Sequence, residues 1–214
     1  MNSKFRIQNS QWAFVLILNC ALCILNSPGP LAAQQLLDRV VARVNGNAIT
    51  LSDVRAAVGL GVVAGDADAS LRQMIDRQIL LVEVQRFPPQ EPSVAAVDAE
   101  AMTLTARAGD GLAALMLATG IDESRVRESA RETLRIRAYL EQRFGTDVQV
   151  SEDEVDRYYR EHPDEFLRGG LLIPFAEAEP IARQRAAALR RTALIDTWMM
   201  DLRSRADVAA AGAP

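Results

Sequence analysis

Cysteine and histidine are nearly missing from this chain of 214 residues: Cys20 and Cys23 stand close to the N-terminus, and His162 is the only histidine. Zinc sites need clustered His, Cys or carboxylate ligands at set spacings, so none is expected. A serine or cysteine nucleophile needs a positioned base. Only His162 is available, and it sits before Pro163 at an expected helix end, where a surface or capping role suits it. Gly59, Gly61 and Gly65 lack both the Lys-Ser/Thr of a phosphate loop and the flanking strand of a dinucleotide fold, so no nucleotide is expected. The acid pairs Asp153-Glu154 and Asp164-Glu165 lie at helix ends, where acids are ordinary. No cofactor, metal or catalytic residue is assigned. The net charge of −4 gives no support to nucleic-acid binding, which usually shows a basic face.

Long apolar runs are also scarce. The main one, Trp12 to Leu25, follows Lys4 and Arg6 and precedes the small residues Leu31-Ala32-Ala33. A basic start, a short apolar middle and a small-residue end predict a secretory signal peptide over residues 1–33. The run is shorter than the roughly 20 residues of a membrane span, and Asn19 interrupts it. An uncleaved inner-membrane anchor is the alternative. Cys20 and Cys23 lack the small preceding residues that lipoprotein processing prefers. Loss of the leader would remove Lys4 and Arg6 and no acid, taking the charge from −4 to −6. The mature chain would hold no cysteine and every basic residue would be Arg, so packing alone must stabilise it.

What is present is a string of helices opened by one strand pair. In "DRVVARVNGNAITLSD", residues 38 to 53, alternation at Val40, Ala42 and Val44 leads into Asn45-Gly46, the strongest short hairpin signal. Ala48-Ile49 returns, and Thr50 with Asp53 forms a capping-box-like helix start. Two short strands are marginal alone, so another segment should complete the sheet. Helices are expected from Thr50 to about Val58, from Ala69 to Phe87 and from Ser93 to a break at Gly109-Asp110-Gly111. A short helix with Leu112, Leu115 and Met116 ends at Gly120, and a long one capped by Asp122 reaches Phe144. On the second helix Leu71, Met74, Ile75, Ile79 and Val82 form the buried stripe, with Asp76, Arg77, Glu83 and Arg86 outside it. The interleaved Arg and Glu of the Asp122 helix read as a solvated face. Ser151 and Glu154 form a capping box for a helix ending at Pro163. A last helix, about Ala176 to Ser204, repeats Ile181, Ala188, Ile195 and Leu202 every seven residues as its packing seam. Ala206 to Val208 reads as a strand, and residues 209–214 as a disordered tail.

The segments "DRVVARVNGNAITLSDV", "LRQMIDRQILLVEVQRF" and "VSEDEVDRYYREHPDEF", in this order, resemble the N-terminal chaperone region of SurA-type periplasmic folding factors and related parvulin foldases. "PFAEAEPIARQRAAALRRTALIDTWMMDLRSRADV" is similar to the helix and strand that end such chains. The resemblance implies a mainly α fold: a helical chaperone module over residues 34–208 with a small β-sheet formed by the N-terminal hairpin and a returning C-terminal strand near Ala206 to Val208. It also implies a parvulin domain after the "YY…HP…F" segment, but only Leu167 to Ile173 separate Phe166 from Pro174. An independent domain needs about 50 residues, and the family's histidine pair is absent, so no isomerase activity is expected. The implied function is a periplasmic, ATP-independent chaperone that binds unfolded or nascent envelope proteins and serves outer-membrane biogenesis. The alternatives are a dedicated accessory subunit of an envelope assembly with one fixed protein partner, and a prolyl isomerase by family label alone. Apolar and flexible side chains suit adaptable binding, and Met74, Leu112, Leu115, Met116, Tyr158, Tyr159 and Trp198 are the candidate peptide contacts.

Overall fold

The computed structural model describes residues 38–145 and 148–210. The expected signal peptide at 1–33 and residues 211–214 lie outside them. Strands β1 (Val40–Val44) and β2 (Asn47–Thr50) form the expected hairpin. Asn45 and Gly46 have φ values of 48° and 84°, the pair of left-handed residues that a two-residue hairpin turn demands. Thr50 both ends β2 and caps helix α1 (Leu51–Gly59). Its Oγ1 accepts the Asp53 N–H at 3.1 Å, while Asp53 Oδ2 accepts the Thr50 N–H at 3.0 Å.

Helix α2 (Ala67–Arg86) follows, then α3 (Val94–Ala108), a single 3-10 turn at Gly109–Gly111, α4 (Leu112–Thr119) and α5 (Glu123–Phe144). Asp66, Ser93 and Asp122 cap α2, α3 and α5 through side-chain oxygens. Ser151 opens α6 (Glu152–Glu161) with a full capping box to Glu154. After the 3-10 turn Pro163–Phe166 comes a small hairpin of β3 (Leu167–Arg168) and β4 (Leu171–Leu172), which the sequence reading lacked. Gly169 and Gly170, with φ 61° and 82°, supply its turn, and the Ile173 N–H donates to Phe166 O at 3.0 Å beneath it. Helix α7 runs from Phe175 to Arg205. Pro180 lies inside it and leaves the carbonyl of Ala176, an exposed residue, without its usual N–H partner.

The third strand, β5 (Val208–Ala210), pairs antiparallel with β1, giving a sheet of order β2-β1-β5. The hairpin and the C-terminal strand therefore share one sheet, as the mainly α fold class required. The strand starts two residues later than expected because Ala206 is spent capping α7, and the ladder carries Ala209 and Ala210 beyond Val208.

Three apolar clusters fill the module. The first joins the sheet to α2 and the C-terminal half of α7 through Val44, Ile49, Ile79, Met199 and Leu202. The second packs α6, Phe166 and Ile173 on Ala178, Ala182 and Ala186 of α7. The third joins Leu60 to α3 and α5 through Val97, Leu104, Val126 and Ala130. Two expectations change here. The seven-residue seam of α7 fails in its first half, where Ile181 is 46% exposed and Ala188 is also exposed. The alanine face packs on α6 there, and the face used against the sheet lies on the order of 150° away around the helix. On α2, Leu81 and Val84 are buried with Ile79, whereas Leu71, Met74, Ile75 and Val82 of the expected stripe are only half-buried. Arg77 is drawn inward, where its Nη2 meets Ser129 O at 3.0 Å and Glu132 at 3.1 Å. Burial pulls its pKa down while Glu132 opposes the shift.

Removing residues from Val208 onward should uncover Val44 and Ala42 and delete the β1–β5 ladder. The expected cost is about 2 kcal/mol, seen as a thermal midpoint roughly 4–8 °C lower. Glu154 generates a second expectation. Hydrogen bonds from the Ser151 backbone and hydroxyl, then Arg190, hold its pKa below the usual carboxylate value. A depressed folded-state pKa stabilises above the unfolded value and is lost as pH falls through the folded one. Glu154→Gln should therefore lower the thermal midpoint at neutral pH, and the difference should vanish in acid below the carboxylate range.

Candidate functional site

Helix α4 is the least ordinary element of the module. Its sequence LAALMLAT carries no charge and is apolar on every side, a pattern that normally belongs to a fully buried helix. Yet only Thr119 of α4 is buried, and Leu117 is 88% exposed. Glycines fix its position. Gly109, with φ 54°, ends α3, and Gly120, at φ 74°, ends α4 in the left-handed conformation while its N–H donates to Met116 O at 2.8 Å. On the inner side Leu115 lies against Gly59 so closely that a Cβ there would sit 2.6 Å from the leucine methyls.

On another side, Leu112 and Met116 face α3 and α5 across a cleft of about 260 Å³. Ala101 and Val126 also line it, and Met102, 71% exposed, stands at its mouth. The rim carries Glu123 and an ion pair between Asp98 and Arg127. An apolar floor with a few charges at the edge can take one or two aliphatic or aromatic side chains and offer a polar backbone hydrogen-bonding partners at the rim. Flexible Met side chains let the cleft adjust to different shapes.

Of the candidate contacts, the structure brings together only Leu112 and Met116 at this cleft. Leu115 faces inward toward Gly59. Met74 packs on the first cluster and lines a small recess of mixed character, with Leu60 and Ile121 as well as Arg77 and Glu132. Tyr158 is 9% exposed, and its hydroxyl meets Glu165 at 3.0 Å; burial first, then Glu165, pushes its pKa up. Tyr159 donates to Ile173 O at 2.6 Å within the same cluster. Trp198 stacks on Tyr139 at 5.9 Å with the Arg143 guanidinium 5.0 Å above its ring. Both tyrosines and the tryptophan thus hold helices together. Met102, on α3, belongs to the cleft although nothing in its local sequence distinguishes it, and the absence of any charge in α4 is the signal for the exposed outer face that carries Leu117. His162 caps α6, with its ring stacked 4.1 Å from that of Tyr158. Among the described residues no group of three His, Cys, Asp or Glu side chains is placed to hold a metal. No described helix is long and apolar enough to cross a membrane.

Gly59→Val should force Leu115 and α4 outward. The expected result is a lower thermal midpoint together with altered proteolysis at the Gly109–Gly111 turn, measurable by limited digestion.

No family model matches the sequence, and no curated protein matches it. A solved structure does match, from work describing the virulence factor PEB4 and the periplasmic protein Cj1289 as two structurally related SurA-like chaperones of Campylobacter jejuni. The superposition has a TM-score of 0.54 at 11% identity and covers 82% of this chain and 100% of the other. With so little identity the likeness speaks for backbone architecture, and on that ground the chain has the fold of the SurA-like chaperones.

Proposed function

We propose that this protein is a periplasmic, chaperone-like binder of unfolded or partly folded polypeptides that works without ATP and without prolyl-isomerase chemistry. The observation that carries this reading is the uncharged helix α4, which leaves Leu117 exposed and lines a cleft through Leu112 and Met116 with Met102 at its mouth, on a fold like that of SurA-like chaperones. A monomer that only needed to be soluble would not keep such a helix exposed. The clients are nascent envelope proteins, whose apolar side chains enter the α3–α4–α5 cleft while the rim charges keep the complex in contact with water.

Energetics account for release without a nucleotide. Two or three buried client side chains supply about 3–9 kcal/mol before ordering costs are subtracted. The resulting affinity is no tighter than roughly micromolar, so clients exchange spontaneously. Two features support the absence of isomerase chemistry. The short hairpin Leu167–Leu172 stands where the resemblance implied a parvulin domain, and the chain's single histidine is engaged in capping α6.

Purified protein should suppress aggregation of several unrelated unfolded proteins. Met116→Glu should weaken that effect about tenfold or more, because a carboxylate in the cleft must be desolvated, while the thermal midpoint stays near that of the parent. Isomerisation of proline peptides should run at the uncatalysed rate. Stoichiometric co-purification with one partner and no suppression of aggregation would overturn the proposal.

A further inference from the structure

The sheet ends in an open edge. Its order, β2-β1-β5, leaves one side of β5 without a strand partner among the described residues. Register decides which backbone groups lie on that side. Val44 faces Asn47 across the two-residue turn, so the backbone groups of Val44 and Ala42 serve β2, and those of Asn45 and Arg43 turn toward β5. The Asn45 N–H donates to Asp207 O at 2.8 Å, and the Asp207 N–H donates to Asn45 Oδ1 at 3.0 Å, which fixes this parity. Asp207 and Ala209 therefore direct their backbone groups inward. Val208 and Ala210 direct theirs outward, with donors and acceptors spaced as another extended chain would present them.

Beside this edge lies a trough of about 610 Å³ between β5 and α2, floored by Ile75, Ile79 and Val208. Val208 pairs with the fully buried Val44 on one face of the sheet but is itself 41% exposed. A further strand laid alongside it would cover it. Natural edges are commonly blunted by Lys, Pro or an inward charge. The sequence of β5, Val-Ala-Ala, has none of these. Arg72 and the Arg203–Asp76 pair stand at the trough's rim, so its floor is apolar and its margin charged.

We infer that the free edge of β5 is a strand-addition site for an extended, apolar stretch of client polypeptide. Main-chain hydrogen bonds form to Val208 and Ala210, and alternate client side chains enter the trough against Ile75 and Ile79. Backbone groups are common to all polypeptides, so the site reads extension and apolarity rather than sequence. The inference rests on the chaperone reading for the identity of the occupant, but it uses elements other than those of the α3–α4–α5 cleft.

The test uses a fluorescein-labelled six-residue peptide of alternating Val and Thr, and the same peptide N-methylated at alternate residues. Proline at position 208 removes only an outward N–H, so Val208→Pro leaves the β1–β5 ladder in place. Binding should fall about tenfold for Val208→Pro and for the methylated peptide. It should persist for Val208→Thr, which keeps the outward N–H, and the peptide should slow amide exchange at Val208 and Ala210. Should Val208→Pro fail to fold, the methylated peptide on the parent protein decides. Equal binding of both peptides overturns the inference and leaves the chaperone reading standing. Failure to bind either peptide or any unfolded protein overturns both. A dimer that Val208→Pro dissociates, with peptide affinity unchanged, assigns the edge to a second copy and also overturns the inference.

Discussion

The module is closed by the antiparallel pairing of β1 with β5, two segments at opposite ends of the described chain. The bond between Asn45 and Asp207 spans 162 positions in sequence. Bringing such distant segments together costs loop-closure entropy, and three short strands do not offset it alone. Helix α7 does so by packing twice, on α6 through its alanine face and on the sheet and α2 through Ile195, Met199 and Leu202. Burial of Met199 and Leu202 sets its rotation, and Arg203 adds a more exposed pair, its Nε and Nη2 meeting the two carboxylate oxygens of Asp76 at 2.6 and 2.8 Å. Val208 then pairs with Val44. No disulfide contributes to the closure among the described residues, which contain no cysteine.

Charge and apolar surface are divided unevenly among the helices, and the proposed client binding rests on that division. Helix α5 is rich in Arg and Glu, yet these side chains reach other elements rather than simply facing water. Arg127 pairs with Asp98, Arg131 and Arg135 approach Glu91, Arg137 approaches Glu100, Arg125 approaches Asp53, and Glu132 receives Arg77. Most of these pairs are partly exposed and individually weak. Arg77–Glu132 is the buried exception, and losing either partner would strand a charge. Helix α4, by contrast, has no charge to pair and is held through Leu115 against Gly59 and through Leu112 and Leu115 on the third apolar cluster. The module therefore presents an apolar helix on a scaffold oriented by ion pairs. That arrangement is compatible with a surface that binds and releases many clients.

Sequence patterns located the elements well because their signals are local. Asn45-Gly46, Thr50 with Asp53, Asp122, Ser151 with Glu154 and Gly120 each act within four residues, and each ends or starts an element where expected. The candidate site was legible only at Leu112 and Met116. Tyr158, Tyr159 and Trp198 have the composition of binding residues, but each is engaged within the fold by a partner beyond its own helical turn: Glu165, Ile173 and Tyr139 respectively. Exposure of an aromatic ring depends on such partners, and periodicity carries no information about them. The hairpin at Leu167–Leu172 escaped notice because its strands are too short for any alternation to register.

By itself the sequence determined the helix boundaries, the turn at Asn45-Gly46 and the uncharged character of α4, since capping, backbone conformation and composition are properties of neighbouring residues. Tertiary structure decided which face of α7 is buried in each half, that Arg77 points inward, and that Val208 rather than Ala206 meets β1. These outcomes depend on the rotation of one helix against its neighbours, a quantity set by packing, to which the Arg203–Asp76 pair adds across the fold.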